Sequence, residues 1–481
     1  MSDIIYLASE EWVTNIISGL TGPTGSTTGF DGIGTQYLSV FGKSDPNTNG
    51  IELQNVYNVA KALVPTLYNQ VNIIIYPGFY GMSSSALILD TPYINLISST
   101  GNIDVEIGYD GTSVNSDYIT LYGIKFQDGG ITINGSYPNL YIENCDLFEG
   151  NISNTGRELS GTFKNISGNS NLFNGYSKYS GIFENIDMVG GPIFGGSNDA
   201  EFSGIFKNIT IGGGGSLQGN IFSGTFNNIS IINNAEGFNG TLFSGTFSDI
   251  STYVGFYAPY WSTGTTEYSG TFDNIVGTSS IFISSSNYSG IFKNIKSPVA
   301  FESGNYTGEF FDCIIDNGFN SNNLGGQYYN CVTQGGFNGT MYGTCYNCIG
   351  NFSSVQSGAI LYNCVGAGSI NVQSGATLYN CVGVNSFNDA TLYNCIDGNG
   401  KIIGGPTISG VYYQEVTGVT SVTVSLDSPL NNTGYTINIT PASLDSAIQY
   451  YITNLTLSSF DIIYVSTITG IISFYWIINK S

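Results

Sequence analysis

The chain has 481 residues and eight cysteines, two of which, Cys345 and Cys348, form a CxxC pair. That spacing could ligate a soft metal or cycle between thiols and a disulfide. A second candidate is Asp45-Pro46-Asn47-Thr48-Asn49-Gly50, which carries the oxygen ligands of the first half of a calcium loop. Val56 stands where such a loop requires a bidentate glutamate, so a helix-capping turn is favoured and Asp45, Asn47 and Asn49 are only a weak metal candidate. A third candidate is the acidic group Asp128, Glu143, Asp146 and Glu149, from which the two carboxylates of a glycoside hydrolase could be drawn. Any strongly acidic chain offers such pairs by chance.

The inventory of charges weighs against all three as catalytic centres. The chain has 11 basic and 34 acidic residues, a net charge of −23 and no histidine, and its single arginine is Arg157. It therefore lacks the usual neutral-pH proton shuttle and nearly all guanidinium anion clamps. The basic proton acceptor of a calcium-dependent lyase cannot be matched. No basic patch is available for phosphate contacts, so nucleic acid is not expected as a partner. No cofactor is expected, and no residue is assigned a catalytic role. With 65 glycines, 34 tyrosines and 41% apolar residues the chain reads as folded and rich in turns. MSDIIYLASEEW at the N-terminus does not read as a cleavable signal, and the apolar run Gly470 to Asn479 is about half of the roughly 20 residues of a membrane-spanning helix.

The elements that position these residues are set by a repeat. Ser-Gly-Thr/Ile-Phe-x-Asn/Asp-Ile recurs seven times between Ser160 and Ile295, and Tyr-Asn-Cys five times between Tyr329 and Cys395. Aligned on the asparagine they form one column of fifteen positions: Gly123, Asn144, Asn165, Asn185, Asn208, Asn228, Asp249, Asn274, Asn294, Asp312, Asn330, Asn347, Asn363, Asn380 and Asn394. Two residues before it the chain is apolar, with Phe in the middle rungs. The residue after it is Ile or Cys. Inward side chains three apart cannot share one face of a straight strand, so the chain must bend at the Asn, which tolerates a left-handed backbone. Steps of 14 to 25 residues fit a coil of three short strands and are too short for a βαβ unit. Phe, Ile/Cys and Asn stacks are expected inside the coil. Cys313, Cys331, Cys348, Cys364, Cys381 and Cys395 fall in the Ile column, Cys145 with them, and Cys345 falls in the Phe column, so all eight are expected as buried, reduced ladder thiols.

Between the inward residue and the corner lies an outward position. It reads Glu143, Lys164, Glu184, Lys207, Asn227, Ser248, Asp273 and Lys293, a ladder of weak surface pairs, and then Phe311, Tyr329, Tyr346, Tyr362, Tyr379 and Tyr393. The five tyrosines are the candidate binding residues. Their stripe can serve contact with sister subunits or neighbouring proteins, recognition of sugar rings, or ring stacking alone. Sequons such as Asn165-Ile-Ser and Asn208-Ile-Thr fall on corners and are read as composition.

Residues 45–80, with an apolar helical stripe of Val56, Val59, Ala60 and Leu63 stopped by Pro65 and a strand beginning at Val71, resemble the N-terminal cap and first coil of pectin-lyase-like parallel β-helix proteins. The likeness continues through Leu121 to Phe126 and Ile142 to Cys145. It implies an all-β fold, a right-handed single-stranded parallel β-helix over 45–405 with a cap helix at 53–64. The same coil serves lyases, phage tailspikes and adhesins, so it implies no particular activity. Gly19, Gly22 and Gly25 resemble the collagen-like inserts of surface-fibre proteins of giant DNA viruses. Residues 19–44 are read as a Gly/Pro-rich linker and 1–18 as a docking segment for another particle or capsid protein. Strand patterns at Ser421 to Leu426, Thr436 to Ile439, 450–460 and 473–479 give a small C-terminal β-sandwich over 406–481, similar to the end module of phage and large-virus fibres.

Together these imply a non-enzymatic spike or fibre protein of a virion surface, attached through its N-terminal segment and presenting a stiff body for attachment or shell assembly. Host glycans are a candidate partner, and trimers are usual among viral β-helices. The alternatives are a tailspike-like polysaccharide depolymerase and a cellular β-helix adhesin.

Overall fold

The computed structural model describes residues 35–42, 45–82, 86–147, 150–153, 158–168, 172–188, 193–195, 199–212, 216–232, 237–257, 265–283, 286–301, 304–387, 390–403, 408–425, 435–441, 450–454, 456 and 459–480. The docking segment, most of the Gly/Pro-rich linker, Glu149 and Arg157 lie outside these. The chain divides into a first unit, Met1–Gly240 with Gly245–Tyr253, and a second, Thr241–Ser244 with Val254–Ser481.

The first unit is a parallel β-solenoid opened by strand β1 (Gln36–Val40), helix α1 (Pro46–Ala62) and strand β2 (Val71–Ile75). β1 pairs in parallel with β2, Gln36 opposite Val71. The coil therefore starts inside the stretch read as linker to residue 44, where Tyr37, Leu38, Val40 and Phe41 are the local apolar cue. The cap helix also begins earlier than 53. Asp45 caps it, accepting from the amides of Asn47 and Thr48 at 3.4 and 3.1 Å, and Pro46 occupies the first turn, where its missing N–H costs nothing. Its buried stripe is Leu53, Tyr57 and Ala60, not the expected Val56, Val59, Ala60 and Leu63. Val59 is 52% exposed. The Tyr57 hydroxyl accepts from the amides of Asp90 and Thr91 at 2.8 and 3.1 Å, and Lys61 Nζ lies 2.7 Å from Asp90 Oδ2, which pins the helix to the coil. Burial pushes the Tyr57 hydroxyl up to about 12.

Each later coil of this unit has three strands, as in Thr162–Gly168, Phe173–Asn174 and Lys178–Tyr179. The first of the three is bent at its asparagine. Asn144, Asn165, Asn185, Asn208, Asn228 and Asp249 have φ between 51° and 55°, and Gly123 has 71°. That left-handed backbone costs most L-residues roughly 1–2 kcal/mol and is tolerated best by Gly, Asn and Asp. The bend turns both flanking side chains inward, and successive coils pair in register: Phe163 on Phe183 on Phe206 on Phe226 on Phe247, and Ile166 on Ile186 on Ile209 on Ile229 on Ile250. The phenyl rings stack with centroids 4.7–5.1 Å apart and planes within 7°.

The repeat conceals further inward aromatics. Tyr179, Phe202 and Phe222, each just before a Ser-Gly, stack at 4.7 Å, and Phe173 and Phe194 stack at 5.1 Å and meet the other rings edge to face. The Ser-Gly is a second bend. A Cβ added at Gly204 or Gly224 would collide with the carbonyl oxygen of the glycine one coil earlier, which is why that position stays glycine.

The second unit repeats this plan with shorter coils. Its corners, Asn274, Asn294, Asp312, Asn330, Asn347, Asn363, Asn380 and Asn394, have φ of 52–54°. Strands pair in parallel from Thr271 on Ile291 through Thr377 on Thr391. Phe272, Phe292, Phe310 and Tyr328 stack inside at 4.9 Å, and Cys313 through Cys395 replace isoleucine after the corner.

In both units the asparagines depart from expectation in one respect. All but Asn394, which is buried, stand on the outside of the coil, not inside it, because the left-handed turn points the side chain away from the two inward neighbours. There they form an amide ladder: Nδ2 of Asn165, Asn185 and Asn208 each donates to Oδ1 of the preceding corner at 2.7 Å, and Asn347, Asn363 and Asn380 do the same at 3.0–3.1 Å.

The second unit ends in four antiparallel strands, Ile408–Ser425, Tyr435–Pro441, Tyr450–Thr453 and Ser459–Lys480. The last pairs with the other three. Phe460 and Trp476, sixteen positions apart on this strand, have ring centroids 5.5 Å apart. A straight strand would separate them by roughly 50 Å at about 3.3 Å per residue. The sheet therefore folds over on itself, burying Phe460, Ile462, Phe474, Trp476 and Ile478 between its halves. This is the expected sandwich, made from strands much longer than the short ones the sequence patterns suggest.

Candidate binding surface

The corner leaves one side chain per coil pointing outward between the inward residue and the asparagine. In the first unit this column is a charge ladder: Lys164 Nζ lies 3.9 Å from Glu143 Oε1, and Lys207 Nζ 3.5 Å from Glu184 Oε1. Glu143 also accepts the Tyr141 hydroxyl at 2.8 Å and the Asn165 amide at 3.3 Å. Asp146 lies past the Asn144 corner and accepts Ser167 Oγ at 3.1 Å, while Asp128 sits exposed in a turn with φ 54°. Glu143 and Asp146, two of the carboxylates singled out for hydrolysis, thus have separate local partners. Asp45 is the helix cap, and hydrogen bonds from Thr48 and Asn47 hold its carboxyl below the usual value. Asn49 is fully buried and donates to the Phe79 carbonyl at 2.8 Å. The weak metal candidate is therefore spent on attaching the helix.

All eight cysteines are free and buried. Each thiol of the Cys column donates to the carbonyl two residues before it, at 3.4 Å from Cys331, Cys348, Cys364 and Cys381. Cys345 Sγ packs 3.9 Å from Met341 Sδ. Burial pushes the Cys145 thiol up to about 12 and the Cys381 thiol well above its ordinary value, so the nucleophilic thiolate is disfavoured at both.

In the second unit the outward column becomes a ring stack. Phe311, Tyr329, Tyr346, Tyr362, Tyr379 and Tyr393 follow one another at 4.7–4.9 Å with planes within 6°. Lys293 Nζ lies 5.6 Å from the Phe311 centroid, at one end of the stack. Tyr393, at the other end, is 45% exposed. Ring faces inside the stack cover one another, so a ligand meets edges and hydroxyls along the stripe. Desolvation, followed by the neighbouring phenol of Tyr346 or Tyr362, pushes the Tyr329 and Tyr379 hydroxyls above their ordinary value.

A different face of the second unit carries a trough of about 490 Å³ lined by Glu267, Asn287, Ser289, Asn305, Thr307 and Asn323. It was missed in the sequence because its members are single polar residues 18 or 20 apart, just before or after an inward tyrosine or leucine. Register makes them a surface: Glu267, Asn287, Asn305 and Asn323 stand on successive coils.

Among the described residues no helix is long and apolar enough to cross a membrane, and no group of three metal-ligating side chains is placed to hold an ion. No protein-family model matches the chain, and comparison with curated proteins finds no match.

Proposed function

We propose that this chain is a non-enzymatic structural protein of a viral particle surface, a spike or fibre whose repeat body holds a distal module and an outer face away from its base. The observation that carries this reading is that the recurrent columns are satisfied by stacking on their own copies. Phenyl on phenyl, thiol on carbonyl and amide on amide leave the repeat with a mechanical role, since parallel coils in register resist unravelling. The folded-over sheet offers a compact end module, and residues 1–18 would dock the base onto a capsid neighbour. The resemblance of the glycine triplets and the end module to viral fibre proteins supports the location.

Immunogold labelling with antibodies raised against the purified chain tests this on the particles and cells of the source. Gold on the surface of virus particles supports the reading. Gold confined to the cell envelope replaces it with an adhesin. Release of oligosaccharides from polysaccharide by the purified chain would make it a depolymerase.

A further inference from the structure

The trough of the second unit carries chemistry that stacking does not use. Its first wall is the column Glu267, Asn287, Asn305 and Asn323, and its second contains Ser289 and Thr307. Within these walls one side-chain hydrogen bond joins described residues, Asn305 Nδ2 to Asn287 Oδ1 at 3.2 Å. Carboxamides and hydroxyls offer donors and acceptors side by side, which is what sugar hydroxyls require, since each both donates and accepts.

The backing is rigid. Beneath the first wall Tyr268, Tyr288 and Tyr306 are fully buried and stack at 5.1 and 4.6 Å. The amides of Ser289 and Thr307 donate to the carbonyls of Tyr268 and Tyr288 at 3.0 and 2.9 Å, and Gly290 and Gly308 pack against the glycine one coil earlier. Side chains on such a base lose little freedom on binding. The same contact continues the hydroxyl column: Tyr342 donates its amide to Leu324 at 3.0 Å, as Thr307 does to Tyr288. Gly325 leaves the rung between them bare, and Tyr342, one coil past the last residue of the trough, is 50% exposed.

We propose that this trough binds a neutral, extended polysaccharide lying across successive coils, its hydroxyls on Glu267, Asn287, Asn305 and Thr307 and one sugar face on Tyr342. The coils repeat at about 4.8 Å, close to the rise of one pyranose in an extended chain, so a periodic ligand meets a periodic wall. Among the lining residues the one charge is Glu267, and the net charge of −23 repels acidic polymers. The site does not depend on the particle-surface reading and differs from the tyrosine stripe.

Affinity electrophoresis of the purified full chain through gels containing dextran, mannan, soluble starch or mixed-linkage β-glucan, with alginate as the acidic control, tests the proposal. At least one neutral polymer retards the chain and alginate does not. The double substitution Asn287→Ala/Asn305→Ala weakens retardation at least tenfold, Tyr342→Ala about fivefold, and Tyr362→Ala on the stripe leaves it unchanged. Thr307→Val, which keeps shape and removes the hydroxyl, gives the reading if the double variant does not fold. No retardation by any neutral polymer, retardation unaffected by the trough substitutions, or retardation lost in Tyr362→Ala would overturn it.

Discussion

Along the coils the outward column passes from polar and charged side chains, Glu143 through Lys293, to aromatic ones, Phe311 through Tyr393, and the inward column passes from isoleucine, Ile166 through Ile295, to cysteine, Cys313 through Cys395. The step between corners differs in parallel, 20 to 23 residues from Asn144 to Asp249 and falling from 20 to 14 between Asn274 and Asn394. A shorter coil encloses less volume, and close packing then demands a smaller side chain after the corner. Cysteine meets that demand, and its weak donor reaches a carbonyl that isoleucine could only cover. Outside, stacked rings supply cohesion that needs no pairing of opposite charges. One backbone plan thus accepts two chemistries, provided each stacks on its own kind.

The largest expected effect separates the two interiors. Ile209→Ala in the first unit should cost about 2–5 kcal/mol by urea unfolding, whereas Cys364→Ala in the second, at the same place after the corner and losing one heavy atom, should cost about 1 kcal/mol. Equal costs would refute the link between coil length and side-chain size. In the same experiments the thiols should stay unreactive toward a disulfide reagent until the chain unfolds.

Next comes the corner, which both units share. Asn208→Ala forces a left-handed alanine and cuts the amide ladder, about 2–3 kcal/mol in all. Asn208→Gly keeps the backbone and loses the ladder alone, about 1 kcal/mol. An alanine no worse than glycine would mean that the corner relaxes.

The outer columns should then part on titration. The Tyr329 and Tyr379 hydroxyls hold their protons more tightly in the folded chain than in the unfolded one. Their contribution is complete below the unfolded value of about 10 and is lost as pH rises through the folded value. The urea midpoint should fall above pH ~10, and Tyr329→Phe/Tyr379→Phe should blunt the fall while keeping the stack. Lys207→Gln in the charge ladder should change stability by less than about 0.5 kcal/mol, and added salt should matter little.

The corners were legible because few residues accept positive φ, so the backbone demand is written directly as Asn, Asp or Gly. The two inward columns beside them were legible for the same reason, since they keep a fixed distance from each corner. The aromatic column headed by Tyr179 was equally legible, since it stands six residues before each corner, whereas the column headed by Phe173 lies across a bend whose loop varies in length, eight residues after Asn165 but ten from Asn228 to Phe238. Helix α1 was placed late because its start is set by Asp45 and Pro46 rather than by apolar periodicity. The stripe could be read because tyrosine recurs beside a corner. The trough could not, since Asn305 and Thr307 acquire meaning only when register sets them against Asn287 and Ser289.

The glycine bend has a consequence for heredity. Gly204 meets Gly224 with the same surface that Gly224 would offer to any further copy. A slip in replication that gains or drops one whole repeat therefore rejoins matching faces, whereas a shift of one codon between a corner and its inward neighbours would put those side chains out of step with the coils on either side. The number of repeats is free to drift in whole steps among descendants of this gene, and the reach of the protein with it.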